Sequence, residues 1–244
     1  MTIDRTSNED ETPARSAQPE YDDHTAAARA RDRLVVLLAA LSGATDAIGL
    51  IALGGSFTSV MTGNMVLVGV AIGTGDASAL GLTLAAIGGY VLGVYLGARV
   101  AGEPQPGDSP WPRPVTRALA VELTAFAAFA AAWWSQGGDP PSSWFGPLLA
   151  VNALALGVQS SAILRFGVSG LSTTYMTGTL TSVVTRLAAR HPLTSIGRSG
   201  AVLAGLICGA TAGGAVFVLV PVAVPALQLA LVGVVLAGGW RRRA

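Results

Sequence analysis

The sequence has no lysine, one cysteine and two histidines, and charged residues fill only 12% of its 244 positions. Each shortage closes a class of function. Without lysine there is no Gly-x-x-x-x-Gly-Lys phosphate loop, so the chain carries no P-loop ATPase of its own. A lone Cys208 cannot form an internal disulfide, and it lies in an apolar run where a buried small residue is expected rather than a reactive thiol. His24 and His191 fall outside the apolar segments, which leaves no His-based metal site and no Ser–His pair. No Gly-x-Ser-x-Gly nucleophile elbow occurs either. The net charge of +1 gives no basic field for nucleic acid. No metal, no cofactor and no enzymatic activity are expected.

What is present is apolar: 51% of residues, with a mean hydropathy of +0.56. The apolar residues come in eight blocks, at 34–53, 60–74, 79–98, 117–135, 145–164, 174–189, 197–219 and 224–240. Crossing a hydrocarbon core of about 30 Å takes about 20 helical residues, and six blocks are near that length. The second and sixth are short. Each opens on Met-Thr-Gly, at 61–63 and again at 176–178. Residues 1–33 are charged and rich in Ser, Thr and Pro, and are expected to form a disordered tail; residues 241–244 form a short basic end.

Arginine placement selects a topology. If all eight blocks crossed, arginines would fall on both sides. If the two Met-Thr-Gly blocks dip in and return, Arg33, Arg99, Arg113, Arg117, Arg165, Arg186, Arg190 and Arg241–Arg243 all lie on one side, which is the cytoplasm by the positive-inside rule. The expected fold is therefore an all-α polytopic bundle with six spanning helices, two re-entrant segments and both termini cytoplasmic. Each half, 34–135 and 145–240, reads helix, dip, helix, helix. Three crossings per half make the second an inverted copy of the first, a frequent transporter plan. Two glycine ladders agree with this: Gly89, Gly93 and Gly97 recur as Gly205, Gly209 and Gly213. Glycine every fourth residue flattens a helix face for close approach, and the ladders are expected to pack around the dips.

The candidate site follows from polar groups at membrane depth. Gly63-Asn64 and Gly178-Thr179 can turn the chain and start a short helix, whose N-terminus carries a partial positive charge. Thr62, Asn64, Thr177 and Thr179 can cap that end or face a ligand, and the sequence leaves both open. Asp46, twelve residues into the first apolar block, has to face the bundle interior, where it is expected to sense a proton or cation, with a structural hydrogen bond as the alternative. Glu122, five residues past Arg117, is expected to be shallow and solvated. Asn152 and Gln159 share a face of the fifth block and can serve either a solute or a helix contact. With the halves aligned on Met-Thr-Gly, Gln159 corresponds to Ala44 and Ser161 to Asp46.

"DAIGLIALGGSFTSVMTGNMVLVG" and "ALGVQSSAILRFGVSGLSTTYMTGTLTSV" resemble a bacterial membrane-protein family, the YoaK-like family, a domain of unknown function. Asp46, Met61, Thr62, Gly63 and Asn64 match its first phrase; Gln159, Thr174, Thr177, Gly178 and Thr179 match its second. The resemblance covers about 34–240. It implies a six-helix protein of the bacterial inner membrane and brings no reaction with it. Together these features suggest a small secondary transporter or channel-like permease. A small polar solute or ion would bind between the halves, and the protein would sit in the lipid bilayer, with a homo-oligomer possible. The alternative is a non-transporting scaffold whose breaks are packing devices.

Overall fold

The computed structural model describes residues 17–166, 176–192 and 196–241, with side chains from residue 26. Thr174 and the rest of 167–175 lie outside the described residues, as do residues 1–16 of the tail and the last three residues. Eight α-helices follow one another: α1 Ala17–Ala52, α2 Met61–Thr74, α3 Ala77–Ala101, α4 Arg113–Ser135, α5 Phe145–Leu164, α6 Met176–Ala188, α7 Gly197–Leu219 and α8 Val224–Trp240. No strand occurs among the described residues. Six of the helices are long and apolar enough to cross a membrane. At about 1.5 Å per residue, the 14 residues of α2 reach about 21 Å and the 13 of α6 reach less, both short of a full crossing. The tail differs from expectation: from Ala17 to Arg33 it is helical and continuous with α1. The Ala-rich stretch 26–30 favours helix strongly enough to extend the span backwards.

The first short helix enters and leaves the bundle at one end. Gly75, in the left-handed conformation, ends α2, and the Asp76 carboxylate caps α3 by accepting from the Ala79 N–H. The C-terminus of α2 therefore meets the N-terminus of α3, and the two pack side by side. At the other end of the segment, Gly54 lies against Leu82 and Phe145, near the starts of α3 and α5. The chain between, 53–60, runs down into the bundle. Gly54 and Gly55, with φ of 93° and 92°, make the turn that was expected at Gly63-Asn64. Gly63 and Asn64 lie instead within the first turn of α2. Gly63 admits the Phe57 ring, which would stand 3.2 Å from any Cβ placed there.

Helix contacts pair off between the halves. α3 packs on α5 as α7 packs on α1; α2 lies on α3 as α6 lies on α7; α4 packs on α5 as α8 packs on α1; and α4 touches α8. The glycine ladders make the first pair of contacts, not the surroundings of the short helices. A Cβ on Gly93 would overlap the Leu154 carbonyl, and one on Gly209 the Ala40 carbonyl. Gly89 and Gly97 sit likewise against Ala150 and Val158, and Gly205 and Gly213 against Val36 and Ala44. Each is answered from the other side: Gly157 meets the Tyr90 carbonyl, and Gly43 meets the Leu206 carbonyl. These contacts align Gly43 with Gly157, one residue off the register of the Met-Thr-Gly phrases. Thr45 then corresponds to Gln159, and Asp46 to Ser160 rather than Ser161.

α1 and α5 form the centre of the bundle. Leu38 and Leu41 of α1 join Leu119 and Phe126 of α4, Leu156 of α5 and Val232 of α8 in one apolar core. Trp133 and Trp134 at the end of α4 donate to the carbonyls of Pro221 and Val222, which ties α4 to the α7–α8 connection. Cys208, expected to be buried, is exposed on the outer side of α7, because the ladder residues Gly205 and Gly209 take the inner side.

Neighbouring glycines separate packing from propensity. Gly88→Ala, where nothing lies within 4 Å, is expected to leave the melting temperature of the purified protein unchanged or slightly higher. Gly89→Ala forces a Cβ onto the Ala150 backbone and is expected to cost about 1–3 kcal/mol. Thermal unfolding in detergent distinguishes the two.

Candidate functional site

Non-helical backbone inside a bundle needs a partner for every N–H and C=O, since lipid supplies none. In 53–60 the Ser59 and Val60 carbonyls accept from the backbone N–H groups of Met61 and Asn64, and side chains serve Phe57, Thr58 and Ser59. Asp46 Oδ1 accepts from the Thr58 N–H at 2.7 Å, the Thr58 hydroxyl at 2.9 Å and the Ser59 N–H at 2.8 Å. Its Oδ2 accepts from the Ser59 hydroxyl at 2.5 Å. Asn64 reaches back across the α2 start: its Oδ1 accepts from the Phe57 N–H and its Nδ2 donates to the Phe57 carbonyl. Ser56 and Thr83 share a hydroxyl–hydroxyl bond of 3.0 Å, which fastens the descending chain to α3. Asp46 and Asn64 thus hold the break in place, with the acceptor capacity of Asp46 taken up by protein donors.

Below the break the two Met-Thr-Gly phrases meet. One cavity of about 260 Å³ is lined by Ser59, Val60, Met61, Thr62, Tyr90, Thr177 and Gly178. Tyr90 lies thirteen residues into α3, about 20 Å from its start, so the cavity sits about midway along the bundle, with Thr62, Thr177 and Gly178 exposed at its rim. Among the described residues no charged side chain lines it. Its polar groups are the hydroxyls of Ser59, Thr62, Thr177 and Tyr90, and Tyr90 shares a 2.9 Å bond with Ser160 of α5. Both short helices begin here, at Met61 and Met176. The α2 start has no side-chain cap and no acidic residue in its first turn, so its leading N–H groups keep their partial positive charge. Gly178 leaves open space where a side chain would stand.

Of the residues chosen from sequence, Thr62, Thr177 and Gly178 line the cavity. Gly63 and Asn64 are not among its lining residues; Gly63 packs on Phe57 and Asn64 bonds to it, and Thr179 is buried on α6. Asn152 and Gln159 lie elsewhere, in a polar layer between the central helices. Gln159 donates to the Leu38 carbonyl and to Ser42 at 2.8 Å. Gln228 of α8 donates to Thr45 at 3.1 Å and to Asn152 Oδ1 at 3.3 Å. Sequence reasoning missed Tyr90, Ser59, Ser42, Thr45 and Gln228. Gln228 carried a signal, as the lone amide in the apolar run of α8. Glu122, expected to be shallow, is fully buried, on the α4 face that carries Leu119 and Phe126. Arg165, expected to mark the end of its helix, does end α5, and its guanidinium pairs with Asp108 at 2.9 Å.

A family model described as a protein of unknown function, DUF1275, matches residues 34–238. The UPF0700 transmembrane protein YoaK of Bacillus subtilis (strain 168) is 34% identical over 164 residues, 67% of this chain and 70% of that protein. No solved structure gives a significant match. The chain belongs to the DUF1275 family and is a multi-pass membrane protein, as its YoaK-like phrases implied.

The clamp role of Asp46 makes a graded prediction. Asp46→Ala leaves the buried N–H groups of Thr58 and Ser59 without acceptors, at about 1–3 kcal/mol each. Asp46→Asn keeps one acceptor oxygen and offers Ser59 a donor. Thermal melts in detergent are expected to rank wild type above Asn, and Asn well above Ala.

Proposed function

We propose that this protein is a small secondary transporter or channel-like permease of the bacterial plasma membrane, and that its path runs through the cavity between the two Met-Thr-Gly helix starts. The observation that carries this reading is the convergence of both phrases on one cavity from opposite halves of the chain. In the same reading the halves are inverted-topology repeats with both termini cytoplasmic. Helix contacts that pair off between halves, and ladders that dock each third helix on the other half's first helix, support the repeat. The clustering of arginine on one side supports the orientation.

The cavity's chemistry narrows the solute. Hydroxyls and two helix N-termini, with no charged side chain, suit a small polar solute or the anionic end of one. At about 260 Å³ the space suits a small molecule and not a polymer. The exposed apolar residues of α2, Met65, Val66, Val70 and Ile72, suit contact with lipid acyl chains. Asp46 serves the path by holding its wall.

Two measurements test this. In proteoliposomes screened for uptake of small polar and anionic solutes, Thr62→Trp or Thr177→Trp is expected to cut transport about tenfold or more, equivalent to about 1.4 kcal/mol. Full transport by both variants, or no solute moved by wild type, would favour the scaffold reading. In a Cys208→Ser background, single cysteines at 54–57 and 75–78 are expected to label from outside. Those at 189–192 are expected to label from the cytoplasm. Labelling of the two flanks of α2 from opposite sides would rule out the re-entrant count.

A further inference from the structure

The buried carboxyl of Glu122 has no role in the path just described. Its side chain is fully buried, and among the described residues neither oxygen has a hydrogen-bond partner. An unpaired carboxyl at membrane depth is expensive, and such groups persist where they bind something.

Its surroundings follow from the correspondence between halves. The buried positions of α8 are Val224, Pro225, Gln228, Val232, Val235 and Gly239. The same spacing picks out Ala118, Leu119, Glu122, Phe126, Phe129 and Trp133 on α4, and all six are buried. By this spacing Glu122 takes the place on the buried face of α4 that Gln228 takes on α8, although the longer α3–α4 connection puts the two helices in a different register from the ladders. Gln228 bonds Thr45 and Asn152, whose counterparts in the register of Gly43 and Gly157 are Gln159 and Leu38. Gln159 does bond the Leu38 carbonyl, and Leu38 shares the apolar core with Leu119 and Phe126, the residues flanking Glu122 on its face. The acid thus lies on the α4 face that packs into the apolar core shared by Leu38, Leu41 and Leu156, while Gln228 reaches the polar layer from α8. Gln228 Oε1 is also without a partner among the described residues. α4 and α8 are in contact, and between them they carry three buried acceptor oxygens without a partner among the described residues.

Among the described residues no free fixed positive charge answers them: on α1, Arg31 pairs with Asp32, and Arg29 and Arg33 lie well before Leu38. α3 offers Arg99, which is exposed. α5 offers Arg165, which is held by Asp108. α8 offers Arg241, exposed at its end, and α4 itself carries Arg113 and Arg117, both exposed. Asp46 of α1 is occupied by Thr58 and Ser59. Open acceptors, a single acid and no basic partner suit a small cation.

We propose that Glu122 is a cation-binding group in the bundle core, taking a proton or an alkali cation, with Gln228 as its neutral counterpart across the bundle. The proposal goes beyond the transport reading and is tested by binding, so it stands or falls whether or not a solute is found.

The test uses the full chain reconstituted in lipid and followed by infrared difference spectroscopy. The perturbations are a pH step, and addition of Na⁺ or K⁺ against choline at fixed pH. Wild type is expected to show a carboxyl difference band that Glu122→Gln loses. A band on the pH step alone identifies the proton, and one on Na⁺ or K⁺ addition identifies an alkali cation. Because the counterpart position holds Gln, Glu122→Gln is expected to fold. If it does not, Glu122→Asp, which keeps the carboxyl, is expected to shift the band instead. The double variant Glu122→Gln/Gln228→Glu is expected to restore a band from the other side. A structural carboxyl would alter the melting temperature but give no ion-dependent band. Difference spectra unchanged between wild type and Glu122→Gln, or between wild type and Glu122→Asp where Gln does not fold, would overturn the proposal.

Discussion

A polypeptide that leaves helical conformation inside a membrane protein forfeits its own hydrogen bonds, and the architecture depends on how 53–60 recovers them. One carboxylate, four donors from two consecutive residues, and one asparagine across the helix start suffice. Because Asp46 grips Thr58 and Ser59, the Met61 helix start is held deep in the bundle and cannot float to the surface. The depth of that start puts its free N–H groups at the cavity rather than in water. Were the clamp absent, the cheapest repair would be to wind 53–60 into α2. That would lengthen the short helix toward a full span and remove the cavity wall.

The same economy governs the long helices. Leu, Val and Ala cannot drive association when lipid is as apolar as the partner helix, so contact must come from close packing. The ladders at Gly89, Gly93, Gly97 and at Gly205, Gly209, Gly213 bring backbone to backbone, and Gly157 and Gly43 reciprocate. This cross-docking of each half's third helix on the other half's first helix means that neither half buries its own faces alone. It also fixes where α2 and α6 lie, since each rests on a ladder helix. The convergence of the two Met-Thr-Gly phrases is thus a consequence of glycine placement more than 25 residues downstream of each phrase.

Much of this was legible in the sequence because it repeats. Met-Thr-Gly marks the first residues of both short helices, and the ladders mark both close contacts. Block length separated six spans from two half-length helices. What the sequence concealed was local geometry and long-range pairing. The turn fell at Gly54-Gly55 rather than Gly63-Asn64, because Phe57 needs Gly63 as a seat and Asn64 as a clamp. Asp46 was visible as a buried acid, but its donors lie beyond the helix end and show only as a Thr-Ser pair before Met61. Glu122 was misjudged because distance from Arg117 measures depth along α4 and says nothing about which face turns inward. Tyr90 stood beside a ladder glycine with nothing in its neighbours to mark it as cavity wall.

The helix contacts of the two halves match in pattern while their buried charges do not, and the difference is informative. Asp46 faces a counterpart in Ser160, and Glu122 one in Gln228. Both acids belong to the first half, and both counterparts are neutral and hydrogen-bonded. On α8 the buried polar residue is an amide with two side-chain partners, Gln228, whereas α4 carries an acid with none among the described residues. Asp46 is explained by four donors that a serine could not satisfy. Glu122 has no donor among the described residues to explain it, and a buried acceptor pair without a partner is the feature on which the proposed cation site rests.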